Sequence, residues 1–151
     1  MFNGRIMIAG TNSGCGKTTV VCGLLKCLLN RKMNIHAFKC GPDYIDTSFH
    51  KKVLKIPAGN LDSWFCKPED LRKIVSKKAY KCDIAVIEGV MGYYDGMGFT
   101  QRASAYEIAD ITSTPVILII NCKGMSSSLE AVLSGFVNMK QNSHIKGVIF
   151  N

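Results

Sequence analysis

A glycine-rich loop near the start of the chain constrains the fold more than any other feature. An apolar run from Ile6 to Ala9 stops at Gly10, and residues 10–18 read Gly-Thr-Asn-Ser-Gly-Cys-Gly-Lys-Thr. The apolar spacing that follows predicts an amphipathic helix from Lys17 to Lys32. A strand, a glycine-rich turn and a helix in this order are typical of a loop that binds phosphate groups.

The residue types in this loop suit a nucleotide. Glycines let backbone N–H groups point into one concavity, and the helix N-terminus adds positive potential. Lys17 is expected to reach the outer phosphates and Thr18 to hold Mg²⁺. The strict pattern has glycine at position 11, where this chain has Thr11, with Gly10 one residue earlier. The residues predicted to bind the nucleotide here are Thr11, Asn12, Ser13, Gly14, Cys15, Gly16, Lys17, Thr18 and Thr19.

The rest of the chain alternates strand-like apolar runs with helical segments. Further strands are predicted at 35–40, 83–88, 115–121 and 145–150, and helices at 45–54, from Pro68, at 103–111 and at 126–139. A polar, glycine-bearing stretch without a strand is expected up to about Asn60. This alternation indicates a parallel sheet covered on both faces. The predicted class is α/β, a P-loop NTPase-type doubly wound, mainly parallel sheet with helices on both faces, formed by residues 1–151 as one domain.

Acidic residues at the carboxyl ends of the predicted strands are candidates for catalysis, because ligands of such sheets bind there. Asp43 and Asp46 follow the second strand and are predicted to bind Mg²⁺ or to orient a substrate, although Pro-Asp is also an ordinary turn sequence. Glu88 ends the third strand, where an unpaired carboxylate would be costly, and Asp95 lies in the loop beyond it. Asp46 and Glu88 should repel each other, so neutralising either is expected to leave stability unchanged or to raise it. The sequence does not decide whether the side chain of Lys39 faces the phosphates or solvent.

Composition narrows the class of protein. The hydrophobic content of 47% excludes a disordered chain, and no apolar run approaches the roughly 20 residues of a membrane span. The opening MFNGRIMIAG is too short an apolar stretch for a signal peptide. The seven cysteines form no CxxC pair and lie in apolar surroundings, which is typical of buried thiols in a reducing compartment and predicts a cytoplasmic protein.

The net charge of +8 is concentrated in one segment. Residues 51–81 contain nine basic and three acidic side chains. This pattern favours a solvated helix face over an anion-binding surface. It argues against nucleic acid as a partner, since no aromatic residues interleave with the basic ones.

Several blocks of the sequence together resemble one enzyme family. They are Gly10–Thr18, Phe38–Asp46 (Phe-Lys-Cys-Gly-Pro-Asp-Tyr-Ile-Asp), Asn60–Trp64 (Asn-Leu-Asp-Ser-Trp), Glu88–Gly96 (Glu-Gly-Val-Met-Gly-Tyr-Tyr-Asp-Gly) and Lys123–Met125. In this order they resemble the cobyrinic acid a,c-diamide synthases, whose nucleotide domain is similar to dethiobiotin synthetase. The resemblance implies ATP-dependent amidation of the a and c carboxylates of a corrinoid, through an acyl phosphate, in cobalamin biosynthesis.

The same resemblance implies roles for individual residues. Asp46 and Glu88 would join Thr18 around Mg²⁺, and Asn151 falls where the dethiobiotin synthetase relatives read adenine. Asp43, Tyr44 and Asp95 fall where the substrate and the intermediate are handled. The residues that the resemblance assigns to catalysis are Lys17, Asp43, Tyr44, Asp46, Glu88 and Asp95.

The family also carries a glutaminase domain that releases ammonia from glutamine. Residues 1–151 do not include it, so we expect either a fragment or half of a split enzyme. The expected partners are cobyrinic acid and a glutaminase domain or subunit. The sequence does not decide whether the protein also forms a homodimer. No membrane partner is expected.

Other functions stay open at this point. The same phosphate chemistry serves amidase-ligases that act on another tetrapyrrole, such as nickel-sirohydrochlorin, and ligases that act on a biotin precursor. A partitioning-type switch ATPase shares the predicted fold. Such switches carry an extra lysine near the start of the phosphate loop, and Gly10-Thr11-Asn12 contains none.

Overall fold

The fold is built on a six-stranded sheet in which every neighbouring pair of strands is parallel. The computed structural model describes residues 4–151. Residues 1–3, the start of the stretch interpreted above as too short for a signal peptide, lie outside the described residues. The elements along the chain are β1 (Gly4–Gly10), α1 (Lys17–Asn30), β2 (Ile35–Cys40), α2 (Tyr44–Lys52), β3 (Ala58–Leu61), α3 (Pro68–Ala79), β4 (Ile84–Glu88), α4 (Ala105–Thr112), β5 (Val116–Ile120), α5 (Ser128–Asn138) and β6 (Ile145–Phe150).

The α/β class and the parallel sheet are confirmed, and every predicted element is present. The strand missing from the prediction is β3, whose Ala-Gly-Asn-Leu sequence has little intrinsic β-propensity. Its backbone pairs with β2 from Ala37 opposite Ala58 to Cys40 opposite Leu61. Pairing with a buried neighbour therefore outweighs the local preference of these residues.

The strand order β3-β2-β4-β1-β5-β6 places the site. Because the strands are parallel, the loops that follow β2, β4 and β1 leave the same edge of the sheet side by side. Two apolar layers hold this arrangement. Ile8, Val86 and Leu25 pack between the sheet and α1, while Met7 and Ile87 belong to the layer on the other face. Each fully buried side chain of this kind stabilises the fold by about 1.5–3 kcal/mol.

The exposure of the basic residues agrees with the expectation, and the exposure of the cysteines does not. All nine basic residues of the 51–81 segment are exposed, as expected for a solvated face. The seven cysteines are free thiols, but they are not all buried as expected. Cys15, Cys40 and Cys82 are buried, Cys22, Cys66 and Cys122 are half-buried, and Cys27 is exposed on α1. Within residues 4–151, no helix is long and apolar enough to cross a membrane.

We predict that the buried side chain of His36 makes stability fall in acid. Burial, with the nearby charges of Lys78 and Lys51, lowers the pKa of His36 from 6.5 to about 4. Between these values the unfolded chain binds more protons than the folded chain, so the free energy of unfolding should decrease as pH falls through this window. Urea denaturation at about pH 7 and about pH 4.5 should show a smaller decrease for His36→Leu than for the unchanged chain. Equal decreases in the two proteins would contradict the prediction.

Candidate active site

The loop after β1 is closed by tight contacts that only glycine allows. Gly16 has a φ of 100°, and the side chain of Asn151 packs against it while donating from Nδ2 to the Cys15 carbonyl at 3.0 Å. A Cβ on Gly10 would collide with the sulfur of Cys15 and press on the side chain of Lys17. The glycine absent at position 11 is therefore replaced at position 10, where the end of β1 passes over Cys15.

Lys17 is held at the floor of the loop by backbone carbonyls. Its Nζ donates to the Asn12 oxygen at 2.9 Å and to the Met91 oxygen at 2.6 Å. Burial lowers the pKa of Lys17 below its usual value, and the nearby charge of Lys39 acts in the same direction. The carbonyl contacts place the ammonium in the cavity enclosed by the loop, where a phosphate group would meet it.

Lys39 organises the acidic residues of the site. It points from β2 with its Nζ 2.6 Å from Asp46 Oδ2 and 2.9 Å from Glu88 Oε1. Burial disfavours the charge on Lys39, but the two carboxylates outweigh this effect and raise its pKa. The sequence left the direction of Lys39 open, and the structure places it between Asp46 and Glu88. The expectation that Asp46 and Glu88 repel each other is therefore wrong, because the ammonium group of Lys39 lies between the two carboxylates and pairs with both.

Glu88 also connects this cluster to the phosphate loop. Its Oε1 accepts a hydrogen bond of 2.7 Å from the Thr18 hydroxyl, and the carboxylate is fully buried. The second oxygen, Oε2, has no hydrogen-bond partner among the described residues. Such an atom is costly unless something else pairs with it.

A magnesium ion fits these residues. Thr18, Asp46 and Glu88 offer only oxygen ligands, which Mg²⁺ prefers, and the unpartnered Oε2 leaves an acceptor for the ion or its water. Within the described part of the chain, no group of three His, Cys, Asp or Glu residues forms a metal site on its own. The ion would therefore depend on Thr18 and on phosphate oxygens to complete its shell.

Asp43 has a structural role at the start of α2. Its side chain accepts a hydrogen bond of 2.9 Å from Ile45 N–H and caps the helix, so the turn interpretation is correct for this interaction. Asn60, on the unpredicted strand β3, donates to the carbonyls of Gly41 and Asp43 at 2.8 and 2.7 Å. Tyr44 projects outward and is 74% exposed.

The loop after β4 is anchored by two tyrosines. Tyr93 donates to the Ser143 carbonyl at 2.7 Å, and Tyr94 donates to the Phe136 carbonyl at 2.8 Å. Burial raises the pKa of both phenols, that of Tyr94 to about 12. Asp95 follows them, and its Oδ2 accepts a hydrogen bond of 3.0 Å from Gly92 N–H. The tyrosines thus fix the position of Asp95.

Two cavities meet at this edge of the sheet. The first, of about 560 Å³, contains most of the predicted nucleotide and metal residues. The second, of about 400 Å³, is lined mainly by apolar side chains and by Asp95. Val90 and Met91 line both. Predicted residues in the first cavity are Ser13, Gly14, Gly16, Lys17, Thr18, Thr19, Asp43 and Asp46.

The remaining predicted residues lie around these cavities rather than in the wall of the first. Thr11 and Asn12 bond to each other on the outer side of the loop, and Cys15 is buried beneath it. Asn151 touches the loop backbone, and Glu88 lies below Thr18. Sequence reasoning missed the second cavity, because its lining comes from loops that are far apart along the chain.

We predict that Lys39→Met lowers the free energy of unfolding by about 3 kcal/mol, because it leaves the buried carboxylate of Glu88 without its cation. The double variant Lys39→Met/Glu88→Gln should recover part of this loss, since the uncompensated charge is gone. Urea denaturation of the single and double variants measures the coupling. The matched control is Lys73→Met, which removes an exposed lysine of α3 and should change stability by less than about 0.5 kcal/mol. Additive effects of the two site substitutions would contradict the ion pair.

Solved structures show the same fold at low sequence identity. FtsY from the chloroplast of Physcomitrella patens superposes with a TM-score of 0.70 and 11% identity, over 97% of this chain and 49% of that one. FlhF complexed with GTP/Mg(2+) gives a TM-score of 0.67 and 14% identity, over 99% of this chain and 56% of that one. These structures establish the P-loop NTPase fold.

Closer relatives are found by sequence. The chain is 41% identical, over all of its length, to the cobyrinate a,c-diamide synthase of Priestia megaterium, and 44% identical, over 97% of its length, to that of Limosilactobacillus reuteri. It spans 33% of each of these relatives. The family model of the CobQ/CobB/MinD/ParA nucleotide binding domain matches residues 6–151. With a closed phosphate loop and this match over nearly its whole length, the chain belongs to the CobQ/CobB/MinD/ParA nucleotide binding domain family.

Proposed function

We propose that this chain is the ATP-binding synthetase part of a cobyrinate a,c-diamide synthase, which amidates the a and c carboxylates of cobyrinic acid in cobalamin biosynthesis. The observation that carries the proposal is the junction of two different cavities at Val90 and Met91. A ligase must bring a nucleotide and an acceptor to one point, and here a phosphate-loop cavity opens beside an apolar one. The similarity to cobyrinate a,c-diamide synthases supports the choice of acceptor.

In the first step, an oxygen of the substrate carboxylate bonds to the γ-phosphorus of ATP as the bond to ADP breaks, which gives an acyl phosphate. Lys17 exchanges its carbonyl partners for phosphate oxygens and stabilises the negative charge that develops there. Thr18, Asp46 and Glu88 hold Mg²⁺, which neutralises phosphate charge when bound. Lys39 keeps the two carboxylates in place between the nucleotide loop and α2.

In the second step, ammonia attacks the acyl carbon, phosphate leaves with the electrons of the C–O bond, and the proton lost by the nitrogen ends on the released phosphate. Asp95, in the wall of the apolar cavity, and Asp43, in the wall of the nucleotide cavity, flank the path between the two reactants. Tyr44 extends from the start of α2 into solvent, where it can meet the substrate. A glutaminase domain or subunit supplies the ammonia, and the reaction takes place in the cytoplasm.

We predict that these 151 residues use ammonium and not glutamine as the nitrogen source. The chain would be incubated with ATP, Mg²⁺ and cobyrinic acid plus either ammonium or glutamine, and corrinoid amides would be followed by mass. Product should appear with ammonium and increase with pH, because the reactive species is neutral ammonia. Amide formed from glutamine in ammonium-free solution would contradict the prediction. ATP turnover that is the same with and without the corrinoid would instead favour a switch ATPase.

We predict that Lys17→Ala abolishes amidation without unfolding the domain. Loss of the charge near the γ-phosphoryl group should raise the barrier by several kcal/mol, or about a thousandfold in rate. Lys26→Ala is the matched control, since it removes an exposed lysine from the same helix. Circular dichroism and urea denaturation would show whether both variants are folded. A folded Lys17→Ala protein with full activity would disprove the phosphate-loop assignment.

A further inference from the structure

The apolar cavity beside the nucleotide loop exposes several large apolar side chains. Trp64, Phe65, Met91 and Met97 line it, and each is at least 44% exposed in the described structure. Large apolar side chains that cluster at the surface mark ligand or partner sites. Since Met91 also lines the phosphate-loop cavity, a ligand on this surface lies next to the nucleotide.

Arg102 adds a cation at the rim of this surface. Its guanidinium carbon lies 4.6 Å from the centroid of the Trp64 ring, in a cation–π contact. Trp64 and Phe65 also line a neighbouring cavity of about 310 Å³ that contains Arg102. The two cavities therefore share the side chains of Trp64 and Phe65, and Arg102 lies over the Trp64 ring at this boundary.

The guanidinium of Arg102 has no carboxylate partner among the described residues. Glu107, in the same cavity, is engaged by the Ser63 hydroxyl and by Ala103 N–H. The carbonyl of Arg102 accepts a hydrogen bond of 2.9 Å from Met97 N–H, which fixes the backbone that carries the guanidinium.

The two acidic side chains that line the apolar cavity accept hydrogen bonds from backbone N–H groups. Asp62 accepts a hydrogen bond of 2.8 Å from Trp64 N–H, and Asp95 accepts one of 3.0 Å from Gly92 N–H. An anionic group of a ligand would be repelled from these carboxylates and attracted to Arg102. The charge pattern therefore fits an apolar ring that carries carboxylates at its edge.

We propose that the surface formed by Trp64, Phe65, Met91 and Met97 binds the ring of the acceptor and that Arg102, stacked on Trp64, binds one of its carboxylates that does not react. The proposal rests on the proposed function and adds the residues that select and orient the acceptor. Arg102 lines the cavity that it shares with Trp64 and does not line the nucleotide cavity, so we assign it to a carboxylate other than the one that faces ATP. A guanidinium suits this role, because its planar donors match a carboxylate.

The test uses the fluorescence of Trp64, which is the single tryptophan of the chain. Cobyrinic acid would be titrated into the full chain, and equilibrium dialysis would measure total binding in parallel. Binding should quench Trp64, and Arg102→Gln should weaken the affinity about tenfold or more, the loss expected for one charge-assisted hydrogen bond. The affinity of Arg102→Lys should lie between that of Arg102→Gln and that of the unchanged chain. Arg31→Gln, which removes an exposed arginine at the C-terminus of α1, should bind as the unchanged chain does.

Binding of cobyrinic acid a,c-diamide shows whether Arg102 holds a reacting or a non-reacting carboxylate, because the two reacting carboxylates are already amides in this compound. If Arg102 binds a non-reacting carboxylate, Arg102→Gln should lower the affinity for the diamide by the same factor as the affinity for cobyrinic acid. A loss seen with cobyrinic acid alone would mean that Arg102 holds a reacting carboxylate, and it would overturn the inference. Binding by dialysis without quenching of Trp64 would overturn it as well.

The outcome is distinguishable from failure of the proposed function. Unchanged affinity and unchanged KM in Arg102→Gln, with amide still formed by the unmodified chain, would overturn the role of Arg102 and leave the ligase proposal intact. Absence of both corrinoid binding and amide formation would overturn the two together. Nucleotide affinity measures folding of the variants, and Trp64→Ala, followed by dialysis, should weaken corrinoid affinity because it removes both the aromatic surface and the ring on which Arg102 stacks.

Discussion

The ammonium group of Lys39 is the interaction on which the site depends. It lies between Asp46 on α2 and Glu88 at the end of β4, and Glu88 in turn accepts the hydroxyl hydrogen of Thr18 at the start of α1. One buried cation thus connects α2 and the end of β4 to the nucleotide loop. Without it, a fully buried carboxylate would lack a counter-charge, and such a group is expensive in an apolar interior.

A second link joins the nucleotide cavity to the apolar one. Met91 has a φ of 47°, which turns its carbonyl toward Lys17 while its side chain remains 54% exposed in the neighbouring cavity. The same residue therefore contacts Lys17 of the phosphate loop and lines the surface proposed for the acceptor.

Local sequence patterns were sufficient for most of the fold. Apolar periodicity located α1, β2 and β6, because these segments are long or strongly patterned. It missed β3, since Ala-Gly-Asn-Leu carries no local strand signal and is ordered by pairing with β2. The omission matters for the site, because β3 supplies Asn60, which holds the backbone of Gly41 and Asp43.

The sequence by itself determined the phosphate loop, the parallel α/β sheet and the acidic residues at the strand ends, because these depend on residue types a few positions apart. Only the tertiary structure decided the direction of Lys39, the replacement of the glycine at position 11 by Gly10, and the cavity shared by Trp64 and Met91. Each of these depends on contacts between segments that are distant along the chain. The charge of a lysine within a buried strand can be balanced by several partners, and strand order selects which carboxylates lie within reach.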